Sequence, residues 1–404
     1  MPKADGARVI ADLRRLAEFG RYKTGVHRPT YSPEDTASRQ WLAGKFAEAG
    51  LDPVIDGVGN VFGRNRRAKR RLLVGSHSET QPHGGWLDGA LGVIYALEAA
   101  RVLADDPEIG VDAVAWSDEE GHFANMVGSR SFVGLLDEAE IDAAKSRDGR
   151  TLRDALAEAG YAGRPREQLD PDRYVGFFEA HIEQGATLDS SGLRLGIVEG
   201  IIGNWNYWLT FIGEQNHAGT TEMARRKDAA IAMMRLAARI DDRFAQISGP
   251  RTVWTMGRML IDPNAPSIVP GRAELQVQFR DTDTAILGRF EEALHALVAE
   301  ADRAGPCRVA IAPISKSEPA LMDPQFQELI EAAAERHAPG SHRRMPSGAG
   351  HDAQILARRM RSAMLFIPSI NGISHHWSED TKEEDIALGA TVFVDAAAAI
   401  LREG

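Results

Sequence analysis

Four short segments place chemistry-capable side chains where strands are expected to end. Gly75-Ser76-His77-Ser78-Glu79-Thr80 closes one apolar run and leads to Gly84-Gly85-Trp86-Leu87-Asp88-Gly89, with Asp88 at the start of a helical pattern. Ser117-Asp118-Glu119-Glu120-Gly121 follows a second apolar run. Glu179-Ala180-His181-Ile182-Glu183-Gln184-Gly185 and Gly372-Ile373-Ser374-His375-His376-Trp377 complete the set. Each has a plain explanation by itself. A histidine past a strand is usually just hydrogen-bonded, an acidic triplet is usually a solvated loop, and Asp88 could simply cap its helix. Together they carry more. Three neighbouring carboxylates repel one another unless a cation offsets them. Three histidines with two carboxylates suit zinc, manganese or cobalt held by nitrogen and oxygen. One acid left over beside such ligands is what metal-assisted hydrolysis uses to move a proton.

The elements that must position these residues alternate between strand and helix. Ser32-Pro33-Glu34-Asp35 reads as a helix start, with Gly50 as its stop. Residues 71–75 and 111–116 read as buried strands, and 91–103 has helical spacing between them. That alternation predicts an α/β domain with a mainly parallel sheet, where sites lie beyond the carboxyl ends of strands. The middle of the chain changes character. Residues 205–213 alternate like an exposed strand, 227–244 and 284–301 read as helices, and 251–260 and 272–279 as strands. A small α+β domain at 208–322 is therefore expected inside a discontinuous domain made of 1–207 and 323–404. Residues 362–367 read as a returning strand, and a last helix runs to 401.

Composition narrows the function. With 404 residues, 43% hydrophobic and 26% charged, the chain is ordinary for a globular protein of two or three domains. A net charge of −11 disfavours general attraction to nucleic acid or anionic lipid. The basic run 64–71 lies between apolar strands and reads as a solvated turn. Cys307 is the lone cysteine, so a metal must rest on histidine and carboxylate. No apolar run approaches the ~18 residues of a membrane span. The first residues lack an apolar signal region, so a cytoplasmic location is expected.

The motifs together resemble the dinuclear-metal amidohydrolases related to aminoacylase and carboxypeptidase G. Within them the chain is most similar to the branch of N-carbamoyl-L-amino-acid hydrolase, allantoate amidohydrolase and β-ureidopropionase. Beyond the segments above, the resemblance is carried by His217-Ala218-Gly219-Thr220-Thr221 and by Ser347-Gly348-Ala349-Gly350-His351-Asp352-Ala353. It implies that Asp88 bridges two divalent ions (zinc, manganese, cobalt or nickel), that His77 and His181 complete one site, and that Glu120 and His375 complete the other. His375 is preferred to His376 because Glu379 follows it by four residues. Glu119 would be the general base, taking a proton from a water between the metals and passing it to the leaving nitrogen. His217 would reach the substrate oxyanion, in the family from a partner subunit. Gln184, Ser267, Arg280 and Gly350 fall at substrate-binding positions, with Arg280 suited to a carboxylate. The resemblance further implies that the inserted domain is a lid that also forms a homodimer.

Several residues depart from the family pattern. Glu79 stands where an aspartate usually orients the first histidine ligand. Ser267 replaces a usual asparagine, Gln278 a usual aspartate, His122 a usual arginine and Glu222 a usual proline. The expected activity is hydrolysis of a linear C–N bond in an N-carbamoyl amino acid or related carboxylate-bearing substrate. Alternatives are an amidase on N-acyl or conjugated amino acids, a dipeptidase-like enzyme, and an inactive metal-binding subunit. Trp86, Trp205, Tyr207, Trp208 and Trp377 would line an aromatic pocket or simply pack in the core.

Overall fold

Helix caps written into the sequence set the first elements of the computed structural model, which describes residues 3–404. The Ser32 hydroxyl accepts from Asp35 N at 3.1 Å, Pro33 sits in the first turn, and the helix runs Pro33–Glu48. Gly50 follows at φ +80°, where a side chain would be strained.

The chain divides into two units. The first comprises residues up to Ile201 together with Leu321–Gly404, and the second is Ile202–Ala320. The first is built on a nine-stranded mixed sheet. Its centre is four parallel strands in the order Ser362–Ile367, Tyr174–Ile182, Arg70–His77, Ile109–Trp116. Antiparallel strands flank them: Leu195–Ile201 beside the first, and Val61–Arg64 beside the last. Every residue of Ile109–Trp116 is buried, and so are the last six of Arg70–His77. Strands buried on both faces require cover on both. The helices Ala90–Val102 and Glu383–Glu403 pack on these strands and on each other. The parallel arrangement brings His77, the 117–121 turn and the end of Tyr174–Ile182 to the same edge of the sheet.

The second unit is a four-stranded antiparallel sheet in the order Val253–Asp262, Arg272–Asp281, Gly203–Ile212, Arg308–Ser317. Along Arg272–Asp281, Ala273, Leu275, Val277 and Phe279 are buried while the alternate residues are not. The helices Ala229–Ile247 and Thr284–Ala304 cover that apolar face. The first division falls at 201/202 rather than near 208. The reason is physical: Gly203–Ile212 is hydrogen-bonded along its length to two neighbours, so no boundary can cut it. The strand Arg308–Ser317 has no counterpart in the sequence reading. It carries Pro313 beside a register shift, a residue that edge strands and bulges tolerate. No helix among the described residues is long and apolar enough to cross a membrane.

Candidate metal centre

Two groups of donors meet in the first unit and share one carboxylate. His77, Asp88 and His181 form one, and Asp88, Glu120 and His375 the other; within each, one ligand atom per residue lies within 4.8 Å of the rest. Asp88 Oδ1 is 3.7 Å from His77 Nε2 and 3.1 Å from His181 Nε2. Its Oδ2 is 3.3 Å from His375 Nε2, which lies 3.7 Å from Glu120 Oε2. Backbone carbonyls fix the two buried imidazoles. His77 Nδ1 lies 3.1 Å from Glu79 O and His181 Nδ1 2.8 Å from Ile182 O, so each ring turns Nε2 inward. His376 instead pairs with Ser378 through Nδ1 at 2.7 Å.

Local backbone explains why these residues can converge. Gly89 has φ +65°, and a Cβ there would lie 2.4 Å from the His77 ring. Only glycine lets Asp88 enter the helix Ala90–Val102 beside that imidazole. Glu379, fully buried, accepts from Leu87 N at 3.2 Å and Asp88 N at 3.0 Å, and Ser374 Oγ donates to it at 2.9 Å. Gln81 holds Glu120 with its backbone N–H and its amide at 3.1 and 2.8 Å.

The electrostatics favour a cation. Burial pushes Glu119 well above the usual carboxylate range, helped by Glu120, Asp352 and Asp88. Burial and Asp88 push Glu120 up to about 8. Burial opposes ionisation of Asp88, yet His181 and His375 hold it well below its ordinary value. Crowded buried carboxylates with inward imidazole nitrogens match the chemistry of divalent zinc, manganese, cobalt or nickel. The donors fit two such ions sharing Asp88.

Glu119 stands beside these groups, in neither donor set. Its Oε2 is 3.6 Å from His77 Nε2, and its side chain is largely buried. The turn that carries it, residues 118–124, is held by Asp118, at φ 54°, whose carboxylate accepts from His122 N, Phe123 N and Ala124 N at 2.8, 3.1 and 2.8 Å. His122, at the usual arginine position, meets Thr30 Oγ1 at 3.0 Å.

Glu79 does not replace the usual aspartate in kind. Its carboxylate stays 4.0 Å from His77 Nδ1. It turns instead to Arg39 and to Glu119 N, each at 2.7 Å. Arg39, Asp35 and Glu379 were not singled out as site residues from sequence. Asp35 and Arg39 are four apart on a helix, which in sequence reads as an ordinary surface pair, yet both are fully buried.

The positions expected from the resemblance to bind substrate divide between the units. In the first, Gln184 Nε2 lies 3.2 Å from Asp88 Oδ2, 3.3 Å from Ser374 Oγ and 3.3 Å from His375 Nε2. Gly350 is exposed just before the helix Asp352–Leu356. In the second, His217 pairs with Ile268 in a short antiparallel ladder, and Ala218 N donates to Ser267 O at 3.0 Å. His217 is exposed, and its Nδ1 accepts from Gly219 N and Thr220 N at 3.0 and 3.1 Å. That fixes the proton on Nε2 and leaves it a donor. Arg280 Nε donates to Gln278 Oε1 at 3.1 Å, so a neutral amide steadies the guanidinium where the family usually has an acid. Trp205 and Tyr207 belong to the core of the second unit, while Trp86 donates to Asp380 and Trp377 carries Lys23 over its ring.

Comparison with known proteins agrees with this chemistry. The model of peptidase family M20/M25/M40 matches residues 73–399. The chain is 34% identical to an allantoate amidohydrolase of Escherichia coli (strain K12), over 93% of each protein. It is 30% identical to an N-carbamoyl-L-amino-acid amidohydrolase of Paenarthrobacter aurescens, over 97% of each. Among solved structures, an amidase of the hydantoinase/carbamoylase family from Burkholderia phymatum matches with a TM-score of 0.93 at 46% identity, covering 100% of this chain and 99% of that one.

Proposed function

This chain belongs to peptidase family M20/M25/M40, and on that premise we propose that it hydrolyses the linear C–N bond of an N-carbamoyl amino acid or a related small ureido substrate bearing a carboxylate. It is a metal-dependent amidohydrolase of the carbamoylase and allantoate amidohydrolase type. The observation that carries the finer reading is the pairing of two donor groups through Asp88 with one further acid, Glu119, at 3.6 Å from His77. His77, Asp88 and His181 would hold one divalent ion, and Asp88, Glu120 and His375 the second. When bound, the two ions polarise the scissile carbonyl and acidify water.

The remaining steps belong to the chain's own side chains. Glu119 takes a proton from the attacking water and delivers it to the leaving nitrogen. Its carboxylate is placed for this, largely buried beside the first donor group and 3.6 Å from His77 Nε2. The role assigned to His217, donation to the substrate oxyanion, matches its Nε2–H tautomer. Arg280 would pair with the substrate carboxylate, and Gln278 steadies it without neutralising its charge. We assign a homodimer formed through the strand edge Val253–Asp262, whose Val253, Met259 and Leu260 are exposed hydrophobics.

The test is amine release from matched N-carbamoyl, N-formyl, N-acetyl and bulky N-acyl amino acids by manganese-loaded protein. Carbamoyl substrates are expected to turn over best. Preference for an acyl amide would instead assign Ser267 and Gln278 to an altered specificity. Glu119→Gln is expected to lower kcat by about 10²–10⁴-fold while metal content stays the same. Equal turnover by both forms would remove Glu119 from the base role.

A further inference from the structure

Residue 79 lies two positions after the ligand His77, but its carboxylate serves a different residue. One oxygen accepts from Glu119 N at 2.7 Å, and the other accepts from Arg39 Nη2 at 2.7 Å. Arg39 is fully buried and spends its other donors nearby. Its Nε reaches Asp35 Oδ2 at 2.9 Å, and its Nη1 reaches Gly59 O at 2.9 Å and Trp116 O at 3.0 Å. The guanidinium thus grips the last carbonyl of the strand Ile109–Trp116, and through Glu79 it grips the amide of Glu119. The segment 116–119 is pinned at both ends by one charge-assisted bridge. His77 lies 4.0 Å from this carboxylate, beyond hydrogen-bond reach, and its Nδ1 meets the backbone oxygen of the same residue at 3.1 Å instead.

We propose that Glu79, bridged to Arg39, is a positioning residue for the general base Glu119 and not for the metal ligand His77. The proposal presupposes the base role given to Glu119 above. The longer acid has a geometric reason. An aspartate is one methylene shorter and cannot keep both the Arg39 and the Glu119 contacts from the same backbone position. An isosteric glutamine fails for another cause: its amide offers one acceptor oxygen, so its NH₂ would face either Arg39 Nη2 or Glu119 N–H, donor against donor.

The test compares Glu79→Asp, Glu79→Gln and Arg39→Lys with the unmodified holoenzyme. For each, kcat and KM are measured at saturating manganese, metal affinity by chelator competition, and the electronic spectrum after cobalt loading. The expected result is a fall in kcat of about 10- to 100-fold with little change in KM, the range typical of residues that orient site groups. Metal affinity and the cobalt spectrum stay as in the parent. Glu79→Asp retains the buried charge opposite Arg39, so it and Arg39→Lys decide the question if Glu79→Gln does not fold. Two outcomes overturn the proposal: parental kcat in Glu79→Asp, or weakened metal binding whose kcat recovers at saturating metal, which would return Glu79 to orienting His77. Glu119→Gln, run in parallel, separates this from the parent reading. Undiminished turnover there refutes the base itself, whereas an inactive Glu119→Gln beside an unaffected Glu79→Asp refutes only the positioning role.

Discussion

Replacing Gly85 by alanine should damage folding and metal binding together. A Cβ at residue 85 would fall 1.8 Å from Glu379 Oε1 and 2.0 Å from its Cδ. Non-bonded atoms do not approach so closely, so the carboxylate must leave. Glu379 is the acceptor for Leu87 N and Asp88 N, and all three residues are buried. Two buried amides left without partners cost about 1–3 kcal/mol each, or roughly 2–6 kcal/mol together. That is a large share of the 5–15 kcal/mol typical of a whole domain, so the value is an expectation for the metal-free protein. The loss also reaches both metal positions, because Asp88 belongs to both donor groups. Affinity at each is expected to fall about 10- to 100-fold. Urea unfolding after chelator treatment measures the first effect, and calorimetric metal titration the second. A variant that unfolds within about 1 kcal/mol of the parent and binds metal equally would refute the claim that Glu379 holds the Asp88 turn.

Further outcomes follow from the same geometry. Metal-free protein should lose stability as pH rises from about 5 to 9. Burial and Asp88 raise Glu120 and Glu379 to about 8, and pairing with Asp88 outweighs burial to raise His181 to about 9, against unfolded values of about 4.3 and 6.5. At these groups the folded state then binds more protons than the unfolded one, so their contribution is full below the unfolded values and is lost as pH rises through the folded ones. Bound divalent ions replace those protons, so metal-loaded protein should show a flatter thermal-unfolding profile between pH 6 and 8.5; parallel profiles would count against it. Gly44→Ala should raise stability by about 0.5–1 kcal/mol, since Gly44 lies in the exposed face of Pro33–Glu48 with nothing within 4 Å of a new Cβ. Denaturant midpoints would show it, and a loss of stability would contradict the open space seen there.

Much of the site was legible because its residues sit in short segments at strand ends. The order of apolar runs and polar stops marked His77 and the 117–121 turn without any knowledge of pairing, whereas the strand that carries His181 was not read from the sequence. Helix caps were equally plain, since Ser32 and Gly50 act on their own neighbours. Aromatic residues were less so. Trp205 and Tyr207 alternate along a strand, and sequence does not say whether the face they share meets substrate or two helices; the structure gives them to the core.

The sequence by itself determined the kinds of candidate donor, their clustering in short segments at or near strand ends, and the further acid beside them. The tertiary structure decided which polar groups serve one another. Glu79 meets Arg39 and Glu119 across 40 residues in each direction, and Glu379 meets Asp88 across 291. Periodicity records which face of an element is buried, because burial repeats with the local backbone. A buried carboxylate's partner is chosen by the fold, which must satisfy each desolvated charge with whatever donor the packing brings within reach.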